Sequence, residues 1–185
     1  WANVPHAPFD VPFNSAQGLR AIAPNQALVV DGGGTAYRFD GTSWISLGWW
    51  QNTSWNYDID QDASGNVWVC GIGGAARRDA GSGVWQRYRI TNTSQFDSFN
   101  NDLTLGADGT MYATANAGPG YGGMVKYDGQ RWVGFNNHHY GLGIDWPFPT
   151  DNSERVYKRP SNGELVVNPM FNGLHRFDGT SWSNL

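Results

Sequence analysis

Phe39-Asp40-Gly41-Thr42-Ser43-Trp44 returns as Phe177-Asp178-Gly179-Thr180-Ser181-Trp182. Between the two copies stand Tyr127-Asp128-Gly129-Gln130-Arg131-Trp132 and a stretched version, Arg78-Asp79-Ala80-Gly81-Ser82-Gly83-Val84-Trp85. One phrase therefore occurs four times. Asp-Gly between two apolar segments is a hairpin signal, because its residues tolerate the positive φ that a tight reversal requires. The phrase thus reads as a turn followed by a strand that begins at the tryptophan.

The aspartates fall at 40, 79, 128 and 178 and the tryptophans at 44, 85, 132 and 182. These steps bracket the roughly 40 to 50 residues of a four-stranded propeller blade. Upstream of each phrase lies a turn and an apolar run: Leu28-Val29-Val30, Val67-Trp68-Val69, Met111-Tyr112-Ala113 and Leu165-Val166-Val167. An inner strand precedes each turn, over 19–23, 57–62, 102–105 and 155–159, and a third, half-buried strand precedes the Asp-Gly over 36–39, 75–78, 124–127 and 174–177. The expected fold is an all-β, propeller-like single domain over 1–185. It holds four repeats of four short antiparallel strands, at about 16–47, 56–90, 99–135 and 154–185, with a lead-in strand and loop over 1–15. Trp1-Ala2-Asn3-Val4 echoes Trp182-Ser183-Asn184-Leu185, as if residue 1 began the outer strand of a preceding blade. That favours a portion of a larger ring, completed by other sequence or another copy, over a four-bladed ring with a spare strand.

Composition agrees with short strands and tight turns: 25 glycines, 15% aromatic and only 15% charged residues. A net charge of −4 supplies no cationic field for a phosphate backbone, so nucleic acid is not an expected partner. Cys70 is the only cysteine, which excludes an internal disulfide; its apolar run suggests a buried, inert thiol. No apolar run is long enough to span a membrane, and no signal peptide is visible. The start at Trp1 without a methionine suggests a processed or excised piece.

Asp62-Ala63-Ser64-Gly65-Asn66-Val67-Trp68-Val69, followed by Gly74-Ala75-Ala76-Arg77-Arg78-Asp79 and Trp85, resembles the repeat of the two-component-regulator β-propellers. The resemblance implies a propeller in an extracytoplasmic sensor or a secreted bacterial surface protein. Gln26 replaces the turn glycine in the first unit, the third and fourth units carry insertions, and no output domain is present, so sensing does not transfer. The Asp-Gly-Thr-Ser-Trp phrase is also similar to the Asp-box of sialidase-type propellers, one residue shorter, and the Gly-Asn-x-Trp strand to streptogramin-lyase-like propellers.

The tryptophans read as packing between blades and the repeated aspartates as turn acceptors. Candidate ligand-binding residues are Trp49, Trp50, Trp55 and Tyr57, beside Gln51, Asn52 and Asn56, because aromatic faces next to amides suit the C–H surfaces and hydroxyls of sugars. His139, Tyr140 and Trp146, in the long excursion over 136–154, join them. His138-His139 is a poor metal pair, since neighbours on a strand point to opposite faces. Asp58-x-Asp60-x-Asp62 resembles the start of a calcium loop, but Gly71 stands where an EF-hand has its bidentate glutamate. No catalytic residue and no cofactor is assigned, a structural calcium being the one alternative. The two Asn-x-Ser sequons at Asn52 and Asn92 would matter only in a eukaryotic secretory route. The expected function is a non-catalytic, secreted or cell-surface module binding a glycan or protein through blade loops. Alternatives are a structural subunit that completes a ring or polymer with other chains, and a lyase or glycoside hydrolase using the 136–154 loop.

Overall fold

A computed structural model describes residues 16–49, 56–71, 74–88, 100–106, 108–115, 123–127, 129–130, 132–135, 153–159, 161–169, 173–179 and 181–185. They form four antiparallel four-stranded sheets, each with its strands in chain order. Blade 1 holds β1 (Ala16–Ala23), β2 (Gln26–Asp31), β3 (Thr35–Phe39) and β4 (Trp44–Trp49); blade 2 holds β5 (Asn56–Gln61), β6 (Val67–Gly71), β7 (Gly74–Arg78) and β8 (Trp85–Tyr88). Blade 3 holds β9 (Asn100–Leu105), β10 (Met111–Ala115), β11 (Gly123–Tyr127) and β12 (Trp132–Phe135). Blade 4 holds β13 (Ser153–Lys158), β14 (Leu165–Pro169), β15 (His175–Phe177) and β16 (Trp182–Asn184). The four repeats of four strands stand as expected. The inner strands of the first, third and fourth blades begin two or three residues earlier than the sequence pattern suggests, and β4 runs on to Trp49, making that residue a strand end.

In blades 1, 2 and 4 the repeated phrase closes the blade as a turn. Asp40 accepts from the amides of Thr42 and Ser43 at 2.8 and 2.9 Å, Asp79 from Gly81 and Ser82 at 3.1 and 2.7 Å, and Asp178 from Ser181 at 2.8 Å. Amides pointed at a carboxylate favour its charged form, so Asp40 and Asp79 sit below the usual carboxyl pKa. Gly41 and Gly179 take φ of 103° and 102°, a region an L side chain rarely enters.

The register makes positions comparable between blades: Leu19 lies opposite Val29, Ile59 opposite Val69, Leu103 opposite Ala113 and Val156 opposite Val167. Because side chains alternate along a strand, each blade has an outgoing face toward the next blade and an incoming face toward the previous one. Three cores result. Leu28, Val30 and Ala36 of blade 1 meet Ile59, Val67, Val69 and Ala76 of blade 2. Trp68, Cys70 and Ala75 of blade 2 meet Leu103, Met111, Ala113, Val125 and Trp132 of blade 3, and Tyr112 and Met124 of blade 3 meet Val156, Leu165, Val167 and Phe177 of blade 4. Fully burying one such aliphatic side chain contributes about 1.5–3 kcal/mol. The outer-strand tryptophan belongs to the incoming face: Trp85 packs into the core between blades 1 and 2 and donates from Nε1 to the Leu47 carbonyl of blade 1 at 2.9 Å.

Candidate functional site

The inner strands carry a cluster of charge. Arg20 on β1 donates from Nη2 to Asp58 Oδ2 on β5 at 2.9 Å and to the Leu103 carbonyl on β9 at 2.7 Å, and its Nε lies 3.6 Å from Asp60 Oδ2. One guanidinium therefore ties three blades together. Asp58 also accepts from the Leu103 amide at 3.0 Å, and Asp102 accepts from the Val156 amide of blade 4 at 3.0 Å. In both cases an inner-strand carboxylate holds the inner-strand amide of the following blade. The residues at this position are Gly18, Asp58, Asp102 and Arg155, paired with Val30, Cys70, Thr114 and Asn168. At Gly18 the strands approach so closely that a Cβ would lie 2.7 Å from the Asp58 Cα.

Burial, then the hydrogen bond and charge of Asp58, push the Asp102 carboxyl up to about 8. Burial beside Asp58 thus favours the protonated form of Asp102. Burial also raises Asp60, an effect that Arg20 partly opposes. For Arg20 itself, burial works against the charged form, but Asp58, Asp60 and Asp102 outweigh it, so its pKa is raised. Arg20 and the backbone amides of the following blades bind these carboxyl groups, so the arrangement fastens blades.

The terminal faces differ in part: on the face of blade 1 that carries Leu19, Val29 and Phe39 are still only 3 and 8% exposed. Ile59, Leu103 and Val156 are 0, 0 and 1% exposed, whereas Leu19, the same position in blade 1, is 67% exposed. On the outgoing side of blade 4, Tyr157 is 53% and Leu174 is 45% exposed. Consecutive inner strands touch, β1 with β5, β5 with β9 and β9 with β13, and among the described residues no contact of that extent joins β13 back to β1. Among the described residues, then, such contacts join the four blades in a row.

Among the residues read from sequence as ligand-binding, Trp49 lies at the end of β4. It is 55% exposed, and its Nε1 donates to the Gly33 carbonyl at 2.8 Å, which fixes the indole while leaving a ring face accessible. Tyr57 lies on β5, and its side chain is outside the description; Trp50, Trp55, His139, Tyr140 and Trp146 lie outside the described residues, as does nearly all of the 136–154 loop. The three carboxylates read as the start of a calcium loop go to two places. Asp58 and Asp60 face Arg20, while Asp62 accepts from the Ser64 and Asn66 amides and from Trp68 Nε1 within its own hairpin. Arg20 and Asp102 were not visible as functional groups in the sequence; the signal for them is the aligned series Gly18, Asp58, Asp102 and Arg155. A separate cavity of about 150 Å³ opens between the turns of blades 3 and 4, lined by Asp108, Tyr112, Asn162, Glu164, Phe177 and Asp178 among others.

No family model and no curated protein matches the chain. Solved structures match the fold, which is that of a β-propeller. The extracellular domain of the two-component-system protein BT3049 from B. thetaiotaomicron superposes with a TM-score of 0.66 at 11% identity, over 95% of this chain and 25% of that one. The WD40 β-propeller domain of Doa1 gives 0.61 at 14% identity, over 92% and 51%, and YCF48 bound to D1 peptide gives 0.58 at 17%, over 94% and 54%. The resemblance to two-component-regulator propellers is thereby borne out in fold. The chain spans between a quarter and about half of these neighbours' length.

Proposed function

We propose that this chain is a non-catalytic assembly and binding module, four blades that act by docking their terminal sheet faces onto further propeller sheets. The exposure of Leu19, at a position buried in every other blade, carries this reading. An aliphatic side chain in line with three core residues is placed to be covered. The extracellular domains among the structural neighbours support a secreted or cell-surface setting, and the peptide bound by YCF48 supports protein ligands.

The test is thiol accessibility in dilute protein. Cysteine introduced singly as Leu19→Cys or Leu174→Cys should react with a maleimide at close to the rate of the urea-unfolded chain, with Cys70 silent. A thiol protected in a dilute monomer would show that the chain covers its own faces, and the docking reading would fail.

Glycan binding is a second reading, favoured by the exposed and anchored Trp49 indole, which suits stacking on a sugar face. A glycan array should show hits that Trp49→Ala abolishes; an array without hits removes this reading.

A further inference from the structure

We propose that the cavity between the turns of blades 3 and 4 binds a small organic ammonium ion, with its apolar body on the floor and its charge at the rim. The site lies away from the terminal sheet faces and does not depend on their docking.

The cavity exists because this junction is built from smaller groups than the junction of blades 2 and 3. The second residue of the second strand is Trp68 in blade 2 and Tyr112 in blade 3. The ring that meets it from the end of the next blade's third strand is Tyr127 in the first case and Phe177 in the second. Trp68 and Tyr127 have ring centroids 4.9 Å apart, whereas those of Tyr112 and Phe177 lie 6.4 Å apart. The turns differ in the same sense. Asp62 and Gly106 close equivalent turns, donating to the carbonyls of Asn66 and Thr110. Asp62 reaches Trp68 Nε1 at 2.8 Å, while Gly106 has no side chain and lines the cavity. The Tyr127 hydroxyl donates to the Gly129 carbonyl at 2.8 Å; Phe177 has no hydroxyl, and Gly179, the counterpart of Gly129, lines the cavity as well. Where one junction has an indole, a carboxylate and a hydroxyl, the other has a phenol and two hydrogens, and about 150 Å³ stays open.

That volume sets the size of the ligand, since a cavity of this order takes a benzene ring, roughly six heavy atoms. The floor is apolar: Tyr112, Leu165 and Phe177 are 4, 2 and 3% exposed. The rim carries Asp108, Asn162 and Asp178, all exposed. Asp108 accepts from the Thr110 amide at 3.0 Å and the Tyr112 hydroxyl at 3.3 Å, and Asp178 from the Ser181 amide and hydroxyl at 2.8 and 3.0 Å; all four donors are neutral. Glu164, the third carboxylate of the lining, is paired with Arg159 at 3.3 Å and Arg176 at 3.8 Å, and Lys158 Nζ points at the Gly106 carbonyl at 3.5 Å. The charge offered to a ligand is therefore that of the rim aspartates. A compact ammonium with an aliphatic body satisfies both parts, because charge-assisted hydrogen bonds form at the rim while the body covers apolar floor. A free alkylamine and the amino-terminal residue of a peptide share this chemistry.

Titration of the ¹⁵N-labelled protein with isopentylammonium chloride should shift the amides of Gly163, Glu164 and Gly179 saturably, with a Kd of about 1 mM for a ligand of this size. 3-Methylbutanol, the same body without the charge, should bind about tenfold more weakly. Asp178→Asn keeps an oxygen for the Ser181 amide and should weaken the ammonium about fivefold, the worth of an exposed ion pair. Phe177→Tyr introduces the hydroxyl that Tyr127 carries at the neighbouring junction; it should abolish the shifts while an unchanged urea midpoint shows the fold intact. Leu-Gly-Gly that saturates the same amides, with its N-acetyl form inert, assigns the source to a peptide amino terminus; isopentylammonium binding with Leu-Gly-Gly excluded assigns it to a free amine. No saturable shift at about 20 mM isopentylammonium, twentyfold above that Kd, overturns the proposal. Equal affinity for the alcohol, or binding unchanged in both variants, overturns it too. None of these results touches the docking of sheet faces, which the thiol-accessibility test decides.

Discussion

Asp102→Asn should make the protein less sensitive to alkali without weakening it near neutrality. In the folded chain Asp102 holds a proton up to about pH 8, against an ordinary value of 3.8. The folded state therefore binds one more proton than the unfolded state between those limits. Stability tied to this proton is fully present below about pH 4 and is lost as pH rises toward 8, at up to about 1.4 kcal/mol per pH unit. From pH 5 to pH 7 the loss amounts to about 3 kcal/mol. Asparagine reproduces the neutral acid: its carbonyl can accept from the Val156 amide and its amide can donate to Asp58. The variant should lose only the slope. Urea unfolding of both proteins at pH 5, 6, 7 and 8 provides the assay, since the difference between them cancels the other carboxyl groups. Asp102→Asn should gain on the parent as pH rises, by about 3 kcal/mol between pH 5 and 7. Parallel curves for the two proteins would mean that Asp102 is ionised in the folded state and that no proton is shared with Asp58.

Two further outcomes follow from close packing. Gly18→Ala should cost about 1–3 kcal/mol in urea unfolding, because its Cβ would sit 2.7 Å from the backbone of Asp58; an unchanged midpoint would show that the inner strands of blades 1 and 2 stand further apart. Cys70 is fully buried, and burial pushes its thiol pKa well up, so Ellman's reagent should detect no thiol in the folded protein and one per chain in urea; rapid reaction of the folded protein would contradict that burial.

The propeller was legible because its cause is local. Asp40 and Thr42 sit two residues apart, so the turn they build can be read from a hexapeptide, and the alternation in Leu28-Val29-Val30 sorts side chains by face without knowledge of any neighbour. The charged cluster was not legible for the opposite reason. Asp58 and Asp60 share a face of β5, and alternating carboxylates look the same whether a cation or a guanidinium stands opposite. The group that stands there, Arg20, comes from another blade 38 residues away. Asp102 gave no signal of its own, because its raised pKa arises from burial and from Asp58, both supplied by the assembled arc. Trp49 falls between these cases: its aromatic character suggested a binding face, but the hydrogen bond to Gly33 that fixes the ring depends on pairing β3 with β4.

The cores lie between the blades, and this sets how the arc should come apart. Four posts in a row enclose three bays, and each bay takes its walls from two posts. Removing a terminal post therefore loses one bay, whereas removing an inner one destroys two and leaves its neighbours with bare walls. The cooperative unit is then the bay, so a mutation in blade 2 should loosen blades 1 and 3 before it is felt in blade 4. The same arithmetic rewards closure, since a ring has as many bays as posts.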